Sequence, residues 1–150
     1  MITYDIALLD SNILVYAHQS LSAFHESAKA LRDKGLNGEI GICVCPQVLM
    51  EFYAVITDPK RVTSPVEPRE AMRELEKYLM ADKIMKIYPN RDLMLRILDL
   101  LAKYEMRRHE VFYVQIVATM LSNNVKKLYT YNHKHFERFK EIEVMIPYET

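Results

Sequence analysis

The sequence predicts an α/β domain, a mostly parallel sheet with helices on both faces. Three observations carry that expectation. Short apolar runs recur along the chain, segments with helical spacing of apolar residues lie between them, and each connection is long enough to cross over a sheet.

The elements follow in order. IALLD (6–10) is a buried strand that ends in an acid. SAFHESAKALRDKG (22–35) reads as a helix, with Gly35 as its stop. EIGICVC (39–45) is a second strand, and Pro46 suits the first turn of the helix PQVLMEFYAVIT, which ends before Pro59. Prolines 59, 65 and 68 mark the main loop, from Asp58 to Pro68. PREAMRELEKYLM (68–80) is an amphipathic helix, and KIMKIY (83–88) a third strand. Asn90 is placed to cap RDLMLRILDLLAKYEM, in which Leu93, Ile97, Leu101 and Tyr104 fall at helical spacing. HEVFYVQIVATML (109–121) belongs to the next helix, running to about Asn123. KKLYTY (126–131) is a fourth strand, and a short helical turn around His135 to Phe139 leads to the last, IEVMI (142–146). No repeat or linker interrupts the series, so residues 1–150 are expected to form a single domain.

Composition narrows the class. Half of the residues are hydrophobic, enough for a sizeable core in a chain of 150. Twenty basic and 20 acidic residues balance. Net charge therefore does not point to nucleic acid, and any attraction to it would come from a local basic face. Glycines 35, 38 and 41 cannot be written as a phosphate-cradling loop. The N-terminal residues lack the parts of a signal peptide. The longest uncharged stretches, Ser11 to His25 and Val111 to Val125, are interrupted by polar residues and do not read as membrane spans. Cys43 and Cys45 form no disulfide framework and read as small buried hydrophobes. The chain is expected to be soluble and cytoplasmic.

In a parallel sheet ligands sit beyond the carboxyl ends of the strands. There the first strand delivers Asp10, Ser11 and Asn12. A carboxylate just past a buried run is either a helix cap or a group that is paired, hydrogen-bonded or metal-bound. The helix after the second strand carries Glu51 among Val48, Leu49, Phe52 and Val55, an acid interrupting an apolar surface. Two carboxylates at one edge suit a hard cation held together with water and substrate phosphate. The fourth strand exits through Thr130, Asn132, His133 and His135. The histidine pair lacks the further ligands that zinc needs. An aspartyl phosphatase would need D-x-D-x-T, and Asn12 and Leu14 stand at its last two positions.

Taken in order, these segments resemble the PIN-domain nucleases, in particular the small VapC-type toxins of prokaryotic toxin–antitoxin pairs. LLDSNILVYA looks like the family's opening strand with its D-x-N signature. His25 falls where the family often has a histidine, PQVLMEFYAVITDP looks like its glutamate-bearing helix, and QIVATML followed by LYTYNHKHF looks like its last core helix and strand. The resemblance covers nearly the whole chain. It implies a three-layer fold on a five-stranded parallel sheet, an acidic cluster binding Mg²⁺ or Mn²⁺, single-stranded RNA as substrate, an antitoxin partner and a homodimer. Carried over by residue, Asp10 matches the first acid, Glu51 the second, Thr130 the polar residue of the last strand, and Asn132 takes the place of the fourth acid.

The third acid is where this sequence departs. The family helix typically reads D-A-x-I-A-A-T-A, and here that register begins at Tyr113. A phenol with a reference pKa of about 10 is a poor magnesium ligand. Glu110, three residues earlier on the same helical face, is a candidate substitute and equally a helix-start acid favoured by the dipole. The resemblance thus implies a metal-dependent ribonuclease with Asp10, Glu51 and Glu110 as metal ligands. Thr130 and Asn132 would complete the catalytic group, with Ser11, Asn12 and Tyr113 positioning substrate. Arg107, Arg108 and Lys134 are candidate contacts to an RNA backbone. The missing carboxylate keeps a second reading open, a module that binds RNA or a protein partner without cutting.

Overall fold

The computed structural model describes residues 5–147. Among them, five parallel strands alternate with helices: β1 (Ala7–Leu9), α1 (Ser11–His18), α2 (His25–Leu36), β2 (Ile42–Val44), α3 (Pro46–Ile56), α4 (Pro68–Met80), β3 (Ile84–Lys86), α5 (Leu93–Lys103), α6 (Val111–Ser122), β4 (Lys127–Tyr129) and β5 (Glu143–Met145). The sheet runs β3-β2-β1-β4-β5. The chain builds outward from β1 through β2 to β3, then returns to the other side of β1 for β4 and β5. That reversal opens a crevice between the carboxyl ends of β1 and β4, the place where such sheets bind ligands.

Burial follows from position in the sheet. Of the three inner strands, β1 and β2 are buried at every residue and carry only Ala, Leu, Ile, Cys and Val, while β4 fully buries its central Leu128. Leu8 pairs with Cys43 on one side and Leu128 on the other, both fully buried. The edge strands β3 and β5 expose part of their length and carry charge at Lys86 and Glu143, which discourages pairing with another sheet.

Several local expectations shift. The strands are shorter than the apolar runs that announced them. Gly35 does not stop α2; it is buried within it, and a Cβ there would meet Ile42 Cδ1 at 1.9 Å. Its role is to let the helix lie against β2. The left-handed turn falls instead at Gly38, with φ 76°. Asn90 does not cap α5, which begins after Asp92; the Asn90 amide donates to the Ser122 carbonyl at 2.9 Å. A 3₁₀ turn at Arg108–Glu110 precedes α6, and the turn expected near His135 to Phe139 is a 3₁₀ turn at His133–His135. Cys43 and Cys45 are buried free thiols. Among the described residues no helix is long and apolar enough to cross a membrane.

Candidate active site at the carboxyl edge of the sheet

Asp10 leaves β1 in extended conformation and its backbone N–H donates to Tyr129 O at 3.0 Å, a last rung of the β1–β4 ladder. The next residue starts α1. The Asp10 side chain caps that helix, Oδ1 accepting from the Ser11 N–H at 2.8 Å. The cap is only part of its role. Asp10 is 5% exposed, and Oδ2 accepts from the Thr130 hydroxyl at 2.8 Å and from Asn12 Nδ2 at 3.2 Å. Asn12 Nδ2 also reaches Thr130 Oγ1 at 3.0 Å, and Asn12 Oδ1 accepts from the Tyr131 N–H at 3.1 Å. Thr130, fully buried, accepts in addition from the Asn132 N–H at 3.0 Å. Asn12 and Thr130 thus tie the end of β4 to the end of β1 and turn the Asp10 carboxylate into a fixed feature of the sheet edge. Neither lines the cleft that Asp10 reaches, and both donate to its carboxylate.

Burial pushes the Asp10 carboxyl up to about 6. The Thr130 hydroxyl, the Ser11 amide and Asn12 pull it back, while the Glu51 charge adds to the rise. Glu51 lies on the solvent side of α3, whose other face buries Val48, Leu49, Phe52, Val55 and Ile56. Among the described residues its carboxylate has neither hydrogen-bond nor ion-pair partner. Asp10 and Glu51 line one cleft of about 500 Å³, together with Ser11, Asn132 and Tyr113. The structure therefore brings together five of the eight residues to which the resemblance gives metal, catalytic or positioning roles.

Glu110 is the correction. Its carboxylate does not line the cleft. Oε1 accepts from the Arg107 N–H at 2.8 Å, closing a capping box on the 3₁₀ turn, and Oε2 pairs with Arg138. Those two partners hold its carboxyl below the usual range. An acid engaged in starting a helix is not available to replace a missing ligand. His25 is also elsewhere, its Nδ1 at 2.9 Å from the Tyr16 carbonyl where α1 turns into α2.

Tyr113, which the resemblance sets against the family's third acid, lines the cleft with a ring. It stacks on His135, centroids 4.6 Å apart and planes 24° from parallel, and meets buried Phe136 edge-on at 5.2 Å. Desolvation, then the charges of Glu51, Asp10 and Glu110, raise its phenol, so it faces the acids as a neutral group.

Arg61 and Phe112 also line the cleft, and neither was singled out from the sequence. Arg61 sits in the proline-containing loop after α3 and has no ion-pair partner among the described residues. Nothing in DPKRVTSP says that this loop folds back over the sheet edge. Of the basic residues that were expected there, Arg107 is engaged by Glu105 at 2.5 Å, and neither Arg108 nor Lys134 lines the cleft.

The donor set can be weighed against a cation. Among the described residues no group of three or more His, Cys, Asp or Glu side chains is placed to hold a metal. A two-carboxylate site suits Mg²⁺ or Mn²⁺ that keeps most of its water and is completed by a substrate phosphate, not an ion caged by protein. Asp10 Oδ1, with a single hydrogen bond, and unpartnered Glu51 retain the lone pairs for that.

The family model described as PIN domain matches residues 7–142. Ribonuclease VapC24 of Mycobacterium tuberculosis is 28% identical over 131 residues, 87% of this chain and 89% of its own length. The crystal structure of VapC20 from M. tuberculosis, a sarcin–ricin-loop-cleaving toxin, matches with a TM-score of 0.65 at 13% identity, over 89% of this chain and 95% of that one. A chain of VapBC2 from Rickettsia felis, bound to a DNA fragment from their promoter, matches with a TM-score of 0.66 at 19% identity, over 94% and 98%. At those identities the structural likeness establishes the fold.

Proposed function

We propose a function from one premise: the chain belongs to the PIN-domain family. Its cleft hydrolyses phosphodiester bonds of single-stranded RNA with the help of Mg²⁺ or Mn²⁺, and the protein serves as the toxin of a toxin–antitoxin pair in the cytoplasm. The ribonuclease names of its relatives and the toxin–antitoxin complexes among its structural neighbours support this reading. The observation that carries it is the buried Asp10 carboxylate, held by Asn12 and Thr130 and facing the unpartnered Glu51 across one cleft. A helix cap alone has no need of such burial, which is costly for a charge.

Asp10 and Glu51 would hold the ion, which when bound would polarise the phosphate and lower the pKa of a water. Thr130 and Asn12 keep Asp10 ionised and aimed. Asn132 and Ser11, at the cleft surface, orient water or a phosphate oxygen. Arg61 supplies the positive charge for a neighbouring phosphate. Tyr113 closes one wall and limits water around the carboxylates. An antitoxin and a second copy of this chain complete the proposed assembly; the outward side chains Met94, Leu95 and Leu98 of α5 are an apolar face suited to the latter.

Tyr113 supports a second reading, a module that binds RNA without cutting it. One assay separates the two: incubation of the protein and its Asp10→Asn variant with single-stranded RNA, with Mn²⁺ or with chelator. Cleavage that needs both Asp10 and the ion is expected. RNA that is bound but stays intact in every arm would leave the binding module.

A further inference from the structure

The position of the absent acid is occupied by an organised set of rings. Tyr113 lies with one face on His135, and the buried Phe136 fixes its edge. His109 meets it edge-on at 6.2 Å. His135 is exposed and lines the cleft, and among the described residues Tyr113 is the one ring packed on it. Next along α6, Phe112 stands 55% exposed at the same cleft, its carbonyl accepting from Gln47 Nε2 at 3.0 Å. The cleft also contains the unpaired Arg61.

We infer that the Tyr113–His135 stack is a nucleobase platform, on which the cleft receives an unpaired base of its RNA while Arg61 holds an adjoining phosphate. The inference rests on the reading of the cleft as an RNA site and says how that site chooses its substrate. Every base has a π face, so a stacked pair of rings whose outer member is exposed in a cleft extends naturally by one more ring. A guanidinium lining the same cleft matches phosphate geometry. In a duplex the base faces are already covered, so the platform selects single strands and loops. The exchange of a carboxylate for a phenol serves the same end, because it removes a negative charge from the path of the RNA backbone.

The test uses the Asp10→Asn protein, in which RNA is not consumed, and two probes: a short fluorescent single-stranded RNA and an abasic ribose-phosphate chain of equal length. In that background His135→Ala is expected to weaken binding of the base-bearing RNA by about ten-fold while leaving the abasic chain within about two-fold. His135→Tyr, which restores a ring without the imidazole, is expected to recover the affinity. Arg61→Ala is expected to weaken both probes alike. His135 is exposed, so these variants should melt as the parent does. Equal weakening of the two probes by His135→Ala, no weakening of either, or no recovery with tyrosine overturns the platform and leaves the RNA site standing. Failure of the parent to bind either probe overturns both.

Discussion

Along the β1–β4 wall of the cleft, Asp10, Asn12 and Thr130 hold one another through short hydrogen bonds and are almost wholly buried. Along the α6 wall Phe112 and Tyr113 face the same space beside the buried Ile116, with His135 stacked on Tyr113 and buried Phe136 against its edge. The first wall keeps a charge in place against the cost of desolvation. The second adds no charge. The two walls hold their groups by different means, the one by hydrogen bonds to a charge and the other by packing of neutral rings. Glu51 raises Asp10 only modestly beside the effect of burial, and a third carboxylate would raise it further in the absence of a cation.

Removing the charged wall should have the largest effect. Asp10→Asn is expected to lower metal-dependent RNA cleavage by more than about 100-fold, since lesser changes, in groups that only support a ligand, already cost up to that much. Single-turnover cleavage of a labelled single-stranded RNA measures it.

The next expectation concerns pH. The Asp10 carboxyl stands at about 6 in the folded protein against an ordinary 3.8. As pH rises past 3.8 the unfolded chain releases this proton first, so folding stability falls, and the loss is complete above about 6. The window corresponds to roughly 3 kcal/mol at 1.36 kcal/mol per unit. Urea unfolding across that window, with chelator present, should show this decline in the native protein and lack it in Asp10→Asn. Equal slopes would mean that Asp10 is not a buried acid.

Thr130→Val cuts the same wall from behind. It leaves Asp10 without its hydroxyl donor and the Asn12 amide and Asn132 N–H without their acceptor. A loss of roughly 1–3 kcal/mol is expected by denaturant titration, with the Asp10 carboxyl moving further up.

Tyr113→Asp makes the second wall like the first. Mn²⁺ affinity, measured by isothermal titration, is expected to rise about ten-fold, worth about 1.4 kcal/mol, from a weak value in the native protein. Unchanged affinity would place Tyr113 outside the site. The smallest effect is expected from Glu110→Ala. Its ion pair with Arg138 is partly exposed, so the urea unfolding midpoint should barely move and Mn²⁺ affinity not at all.

Much of this contrast was legible in the chain. The apolar runs ending at Asp10 and Cys45, the long crossovers and the proline starts of α3 and α4 determined a parallel α/β sheet and put Asp10, Glu51, Thr130 and Asn132 at its carboxyl edge, because strand ends and helix starts are local matters of periodicity and backbone chemistry. The resemblance to the family's helix pattern, not periodicity, pointed to Tyr113 as the residue standing where an acid is expected. What tertiary structure decided was direction and partnership. Glu110 is three residues from Tyr113 in sequence, yet Arg107 and Arg138 turn its carboxylate away. Arg61 reaches the cleft from a loop whose path no periodicity encodes. Thr130 proved to serve Asp10 across 120 residues of chain, because only the pairing of β1 with β4 brings its hydroxyl within reach of the carboxylate, and Asn12, two residues from Asp10, ties the two strand ends together.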